Sequence, residues 1–244
     1  MSGLGSAIEQ FAAMRMERTT GDDANKVWYL RQNRLFAEAT EAEVSGSQGI
    51  FTMCEMPRGT RVFDLGDTTR VVYLVKRGAV RIARETPDGK DVTVALLGAG
   101  DLFGEETMFD GAPRATVAVV VEDALLCTAR AEDLFALLSR DPQLALNVAK
   151  LLSGRLDDAR ATMEDLAYAR VGERIVHLYR KLALEHGVAV AGGTRVDLRL
   201  THADVASLVG STRETVSVEI AKLVEAGQLR LDGRAIVVPA QETA

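Results

Sequence analysis

The chain has 244 residues, 47% of them hydrophobic, and a formal net charge of −6, which is length and apolar content enough for two packed domains. An acidic balance excludes a uniformly basic surface, so any nucleic acid must be met by a local arrangement of charge. Two distant cysteines, Cys54 and Cys127, and three histidines without HxxxH or HExxH spacing argue against a disulfide framework, a zinc ribbon, a four-thiolate iron–sulfur cluster or any metal site.

No basic start leads into an apolar run, and no stretch approaches the roughly 18 apolar residues of a membrane helix. A cytoplasmic protein without a membrane partner is expected. Residues 1–32, mixed in charge and carrying Thr19-Thr20-Gly21-Asp22-Asp23, read as a helix-prone or partly disordered N-terminal extension.

A short helical stretch follows from Asn33 to Val44, with Leu35 and Phe36 as its apolar anchors. Between Phe51 and Arg130 the texture changes to short Val-rich runs punctuated by glycine. Val71–Val75, Val80–Ala83, Val92–Leu97 and Thr116–Val121 read as strands. Asp88-Gly89 is a hairpin signal, because glycine tolerates positive φ. Short strands at such spacing imply a small β-barrel or jelly roll. Within this region, Phe103 to Thr116 offers a Gly turn, a short helix starting near Glu105, and an Arg returned by Gly111-Ala112-Pro113. Free N–H groups beside Arg114 would suit an anion. A surface ion pair between Glu105 and Arg114 on an ordinary loop accounts for the same residues equally well.

After Ala131 the pattern is helical. Asp141-Pro142 opens a long helix, with proline where its missing N–H costs nothing. Leu152, Leu156, Ala159, Met163 and Leu166 recur at heptad spacing, the seam of a helix that pairs with a second copy. Another helix spans Val171 to Glu185, is ended by His186-Gly187, and is followed by a turn at Gly192-Gly193. The loop from Glu185 to Thr194 carries no readable motif.

The stretch from Leu200 to Val238 carries the most information. One helix covers Thr201 to Leu208, and Val209-Gly210-Ser211 forms a tight turn with Gly210 left-handed. A second helix runs from Thr212 to Ala226 and is stopped by Gly227. Val205, Val216, Ile220 and Leu223 bury one face. Gln228–Leu231, Asp232-Gly233 and Ala235–Val238 make a hairpin. Helix, turn, helix and hairpin make a winged helix. Its second helix exposes Thr212, Arg213, Glu214 and Ser217 at the end that enters the major groove. Arg213 can reach guanine O6 and N7, and Glu214 can accept from cytosine N4. Ser211, Thr212 and the first helical N–H groups suit a phosphate. Ser211-x-x-Glu214 also fits a capping box. From Val171 onward nine Lys/Arg face nine Asp/Glu, so affinity for DNA must come from placement.

Gly210-Ser211-Thr212-Arg213-Glu214-Thr215-Val216-Ser217 resembles the recognition helix of the cyclic AMP receptor protein family of bacterial regulators. Phe103-Gly104-Glu105 through Arg114-Ala115 is similar to the phosphate-binding cassette of cyclic-nucleotide-binding domains. The resemblance runs from Leu35 to Val238 and implies an α+β protein: a cyclic-nucleotide-binding β-roll (33–140), a dimerisation helix (141–169) and a winged helix-turn-helix (170–244). It implies that Glu105 takes the ribose 2′-hydroxyl of cyclic AMP. Arg114 would take the phosphate with the N–H groups of Gly104 and Ala115, and Ile82, Val94, Leu97 and Phe103 would line the pocket. The family's hydroxyl pair for the adenine stands here as Ala159-Arg160, where Arg160 could stack on or bond a purine. The family's second base-reading arginine is Val218, and Glu219 lies where a small or apolar residue is common.

The implied partners are double-stranded DNA of two-fold symmetry, a second copy of the chain, and RNA polymerase. An effector-independent regulator of the same fold would explain Ala159-Arg160, and a regulatory module for another chain would lack use for the winged helix. An enzyme is disfavoured, because no Ser/His/Asp or Cys/His arrangement is visible.

Overall fold

The structure is a computed structural model that describes residues 30–31, 33–85, 91–109 and 111–240. The Asp88-Gly89 turn and nearly all of the N-terminal extension lie outside the described residues. The described residues form two compact units, one from within residues 1–82 and 97–154, the other from within residues 83–96 and 155–244.

A six-stranded sheet is formed by β1 (Thr52–Met56), β2 (Arg61–Phe63), β3 (Val71–Glu85), β4 (Asp91–Leu97), β5 (Leu102–Phe103) and β6 (Val117–Arg130); it belongs to the first unit except for residues 83–85 of β3 and 91–96 of β4, which belong to the second. The order is β1-β6-β3-β4, with β2 also on β6 and β5 also on β3. β1, β2 and β5 pair antiparallel with these neighbours. Val72 to Val75 are all buried, so β3 is covered on both faces, as the apolar run requires. One face carries Val72 and Leu74 into a core with Leu35, Phe36, Leu102, Leu134, Leu144 and Val148. The other carries Tyr73 against Phe63 and Phe103, with Tyr73 stacked on Phe103 at 4.8 Å and 14°.

Helices close the first face. Leu35 and Phe36 sit in a 3₁₀ turn, Arg34–Phe36, whose first N–H groups are capped by Asn33: its side chain accepts from Leu35 N. α1 (Glu41–Ser47) starts at a Thr40–Glu43 capping box. α2 (Ala131–Arg140) follows β6 directly. α3 (Pro142–Tyr168) opens at proline, where Asp141 Oδ1 accepts from Gln143 N and Leu144 N. Asn147, buried on α3, donates to the carbonyls of Leu35 and Ala37 at 3.0 and 2.8 Å. A buried amide left unpaired would cost about 1–3 kcal/mol, so this pair fixes where α3 lies on the turn.

In the second unit, α4 (Val171–His186) precedes β7 (Gly187–Val190), β8 (Gly193–Val196), α5 (His202–Val209), α6 (Arg213–Glu225), β9 (Arg230–Asp232) and β10 (Ala235–Pro239). The antiparallel sheet runs β7-β8-β10-β9. The segment from Glu185 to Thr194, expected as a loop, contains the β7–β8 hairpin. Ile175, Tyr179, Leu182, Val205, Val216, Ile220, Leu223, Leu229 and Val237 are buried. They close the three helices over the sheet, with Val205, Val216, Ile220 and Leu223 on the inward faces that their spacing predicts.

Candidate functional sites: an arginine cassette and a helix-turn-helix

The cassette begins where β5 ends. Phe103 pairs with Tyr73 across β3, and Gly104 then turns left-handed at φ 79°. A β-carbon at Gly104 would stand 2.8 Å from Arg114 Nη1 and 2.9 Å from the Val71 carbonyl. Only glycine meets both demands. A 3₁₀ turn, Glu105–Met108, follows, tied back by Thr107 Oγ1 donating to the Gly104 carbonyl at 2.9 Å. Arg70 donates to the Thr107 carbonyl from Nε and Nη2.

Arg114 is fixed by its backbone before its side chain acts. Its N–H donates to Asp67 O and its carbonyl accepts from Gly66 N, both at 2.8 Å. The side chain is fully buried. Nη1 donates to the Gly104 carbonyl at 3.1 Å and to Glu106 Oε1 at 2.7 Å. Nη2 donates to the carbonyls of Thr69 at 3.3 Å and Val71 at 2.5 Å. The guanidinium lies 4.2 Å from the Phe63 ring centroid, a cation–π contact, and its buried Nε has no partner. Close by, burial pushes the Tyr73 phenol up to about 12, against the opposing pull of the Arg114 charge. The carboxylate paired with Arg114 is that of Glu106, the neighbour of the Glu105 that the sequence puts forward.

The other expected ligand residues are distributed more widely. Leu97 and Phe103 are buried in the first unit, Ile82 and Glu105 are half-buried there, and Ala115 is exposed. Val94 belongs to the second unit and is exposed. Arg160, also in the second unit, is exposed and pairs with Asp157 at 3.0 Å along its own helix. What the fold brings together is Phe103, Gly104 and Arg114. A buried guanidinium whose counter-charge is one half-exposed carboxylate fits an anionic group able to take that carboxylate's place.

The helix-turn-helix is built by two caps. Thr201 and Asp204 form a capping box at α5. Gly210 ends that helix at φ 60°, as the turn predicts, with Ser211 N donating to the Ala206 carbonyl at 2.9 Å. The N-cap of α6 is Thr212, whose Oγ1 accepts from Thr215 N at 3.2 Å. The expected Ser211–Glu214 box is therefore displaced by one residue, because Thr212 takes the extended cap conformation and brings Thr215 into reach. Glu214 is left exposed, with Arg213, Ser217 and Val218. Val216 and Ile220 point inward from the same turns.

Glu219 is explained by Gly172. A β-carbon on Gly172 would lie 2.9 Å from Glu219 Oε2. The carboxylate thus rests on the first turn of α4, where the helix dipole favours negative charge, and it accepts from Lys222 Nζ at 2.7 Å. On the wing, Asp197, with help from Asp232, holds the Arg195 guanidinium above its ordinary pKa.

The heptad stripe of α3 divides. Leu152 is partly buried against the first unit's core. Leu156, Ala159, Met163 and Leu166 are exposed, although Leu166 also packs one methyl against Gly210. Asp158 and Asp165, on the same helix, pair with Lys181 and His177 of α4.

A buried-arginine cassette on a β-roll and a helix-turn-helix with its second helix exposed define a β-roll domain and a DNA-binding domain in one chain. Residues 53–141 match the cyclic nucleotide-binding domain family, and residues 169–242 match the Crp-like helix-turn-helix domain. The cyclic AMP receptor protein of Thermus thermophilus is 35% identical over 202 residues, 83% of this chain and 90% of that protein. The chain belongs to the cyclic AMP receptor protein family of transcription regulators. A CRP-like cAMP-activated global transcriptional regulator of Mycobacterium tuberculosis is 29% identical over 77% of this chain and 84% of its own length. The structure of the c-di-GMP responsive global regulator CLP of Xanthomonas campestris superposes with a TM-score of 0.71 at 27% identity, covering 83% of this chain and all of that one. Among the described residues, no helix is long and apolar enough to cross a membrane.

Proposed function

We propose that the chain is a homodimeric, sequence-specific transcription regulator of the cytoplasm, controlled by cyclic AMP bound at the cassette. The observation that carries this reading is Arg114, held as a fully buried cation whose paired carboxylate is half exposed. A cyclic phosphate offers the same acceptor geometry. Glu105 would receive the ribose 2′-hydroxyl, with Gly104 and Ala115 supplying N–H groups to the phosphate. The relatives named above respond, by their names, to cyclic AMP or to c-di-GMP. The small cassette with one arginine favours the mononucleotide.

The effector acts by preferring one of two states of the dimer, and shifts their populations only by its differential affinity. In the favoured state the two α6 helices match successive major grooves, about 34 Å apart. The exposed apolar residues Leu156 and Met163 of α3 give a second copy its surface. RNA polymerase would be the further partner on DNA.

Titration calorimetry with cyclic AMP on the wild type and Arg114→Ala tests the reading. Saturable heat that disappears in the variant supports it. Absence of heat in both would favour a regulator without effector, a reading that the internal Arg114–Glu106 ion pair and the Ala159-Arg160 pair support.

A further inference from the structure

We infer that Glu106 is a built-in competitor for the effector: its carboxylate occupies, in the nucleotide-free chain, the place on Arg114 that the ligand phosphate must take. The inference rests on the cyclic-nucleotide reading of the cassette and assigns that site its regulation.

The two partners of the ion pair differ in burial. Arg114 is fully buried and Glu106 is about half exposed, with 2.7 Å between Nη1 and Oε1. A guanidinium taken out of water needs a compensating charge. The backbone carbonyls of Gly104, Thr69 and Val71 accept three of its hydrogens but bring no charge. Glu106, half exposed to water, supplies that charge. The two partners therefore differ in freedom: the carboxylate can swing into solvent, and the guanidinium, pinned by three carbonyls and Phe63, stays. Ligand entry is then an exchange of one anion for another, with Arg114 never left unpaired.

Two consequences follow from the position of Glu106 on the Glu105–Met108 turn. The exchange subtracts the strength of the Glu106–Arg114 pair from the ligand's affinity. It also sets a threshold on the ligand, since a neutral nucleoside has nothing to replace the carboxylate with. Glu106 thus helps to select a phosphate-bearing effector. Release of Glu106 unties one side of the turn that carries Glu105, leaving Arg70 on the Thr107 carbonyl and Thr107 Oγ1 on the Gly104 carbonyl as tethers.

The test is the conservative variant Glu106→Gln in the full-length chain, titrated with cyclic AMP and with adenosine. Glutamine keeps an acceptor for Nη1 and loses the charge, so cyclic AMP should bind at least about tenfold tighter, while adenosine gains nothing. Glu105→Gln, which removes a comparable charge one residue away, should instead weaken cyclic AMP. Opposite effects of the two variants separate displacement of a specific carboxylate from general relief of negative charge. Amide hydrogen exchange of residues 105–108 without ligand should be faster in Glu106→Gln. Unchanged or weaker cyclic AMP binding in a folded Glu106→Gln protein, or unchanged exchange, overturns the inference while leaving the effector reading standing. Absence of cyclic AMP binding in wild type and both variants overturns the effector reading and the inference together.

Discussion

A methyl group of Leu166, on α3, lies against the α-carbon of Gly210, so that a β-carbon there would come within 2.8 Å of it. The turn of the helix-turn-helix is therefore specified twice, by a left-handed backbone at φ 60° and by the side chain above it. Gly210→Ala should cost about 1–2 kcal/mol from the backbone alone, with a further penalty from the overlap. Adding Leu166→Ala should return the overlap part and leave the backbone part. Thermal unfolding of the two single variants and the double variant checks this as a cycle. Strict additivity would show that Leu166 yields without strain.

Base reading should rest on Arg213 and Glu214, exposed at the start of α6. Arg213→Ala should weaken binding to the preferred operator by roughly 10–100-fold and flatten discrimination at one position of each half-site, in line with about 1–3 kcal/mol per bidentate contact. Val218 is exposed on the same helix and reads nothing through hydrogen bonds. Val218→Arg should add a preference at a neighbouring base. Binding-site selection on randomised DNA, run with the wild type and both variants, would show these changes. An unchanged consensus in Arg213→Ala would remove that residue from the reading set.

Much of this was legible in the sequence, and the gaps have physical causes. The recognition helix, its glycine turn and its apolar face follow from 3.6-residue spacing with one residue free of a β-carbon. β3 was harder. Its sequence shows two apolar runs separated by Lys76-Arg77-Gly78, but the strand is continuous from Val71 to Glu85. Gly78 lets the chain pass at φ 80° where a β-carbon would sit 2.3 Å from the Asp123 carbonyl of β6, a contact made by a strand distant in sequence. The β7–β8 hairpin gave no alternation because three of the four β7 residues are exposed and the fourth is half-buried. The sequence puts Glu105 beside Arg114, whereas the ion pair is with Glu106, since which carboxylate faces the guanidinium depends on the winding of a four-residue 3₁₀ turn.

The exposed stripe on α3 makes a prediction about assembly. Leu156 and Met163 are 51% and 61% exposed on a helix whose acidic residues Asp158 and Asp165 are engaged by α4. If a second copy covers the stripe, Met163→Glu should shift sedimentation from dimer toward monomer and reduce affinity for a two-fold operator more than for a half-site. Leu152→Glu differs, since Leu152 packs on the first unit's core and its replacement should lower thermal stability as well. A dimer unaffected by Met163→Glu would place the interface elsewhere.

Alkaline stability should fall steeply, and the sign follows from burial. Tyr73 and Tyr179 are 6% and 4% exposed, and loss of water around each phenol raises it from 10.0 to about 12. The folded state thus holds both protons more tightly than the unfolded chain does. Their contribution is intact below pH 10 and is lost as the pH rises from 10 through 12. Two pKa units correspond to about 3 kcal/mol for each residue at most. Tyr73 acts in the first unit and Tyr179 in the second, so Tyr73→Phe and Tyr179→Phe should each flatten the alkaline loss in their own unit. Denaturant unfolding at pH 8, 10 and 11.5, followed by hydrogen exchange in each unit, measures both slopes. A phenylalanine variant that loses stability with pH as steeply as the wild type would mean that its tyrosine ionises without leaving the core.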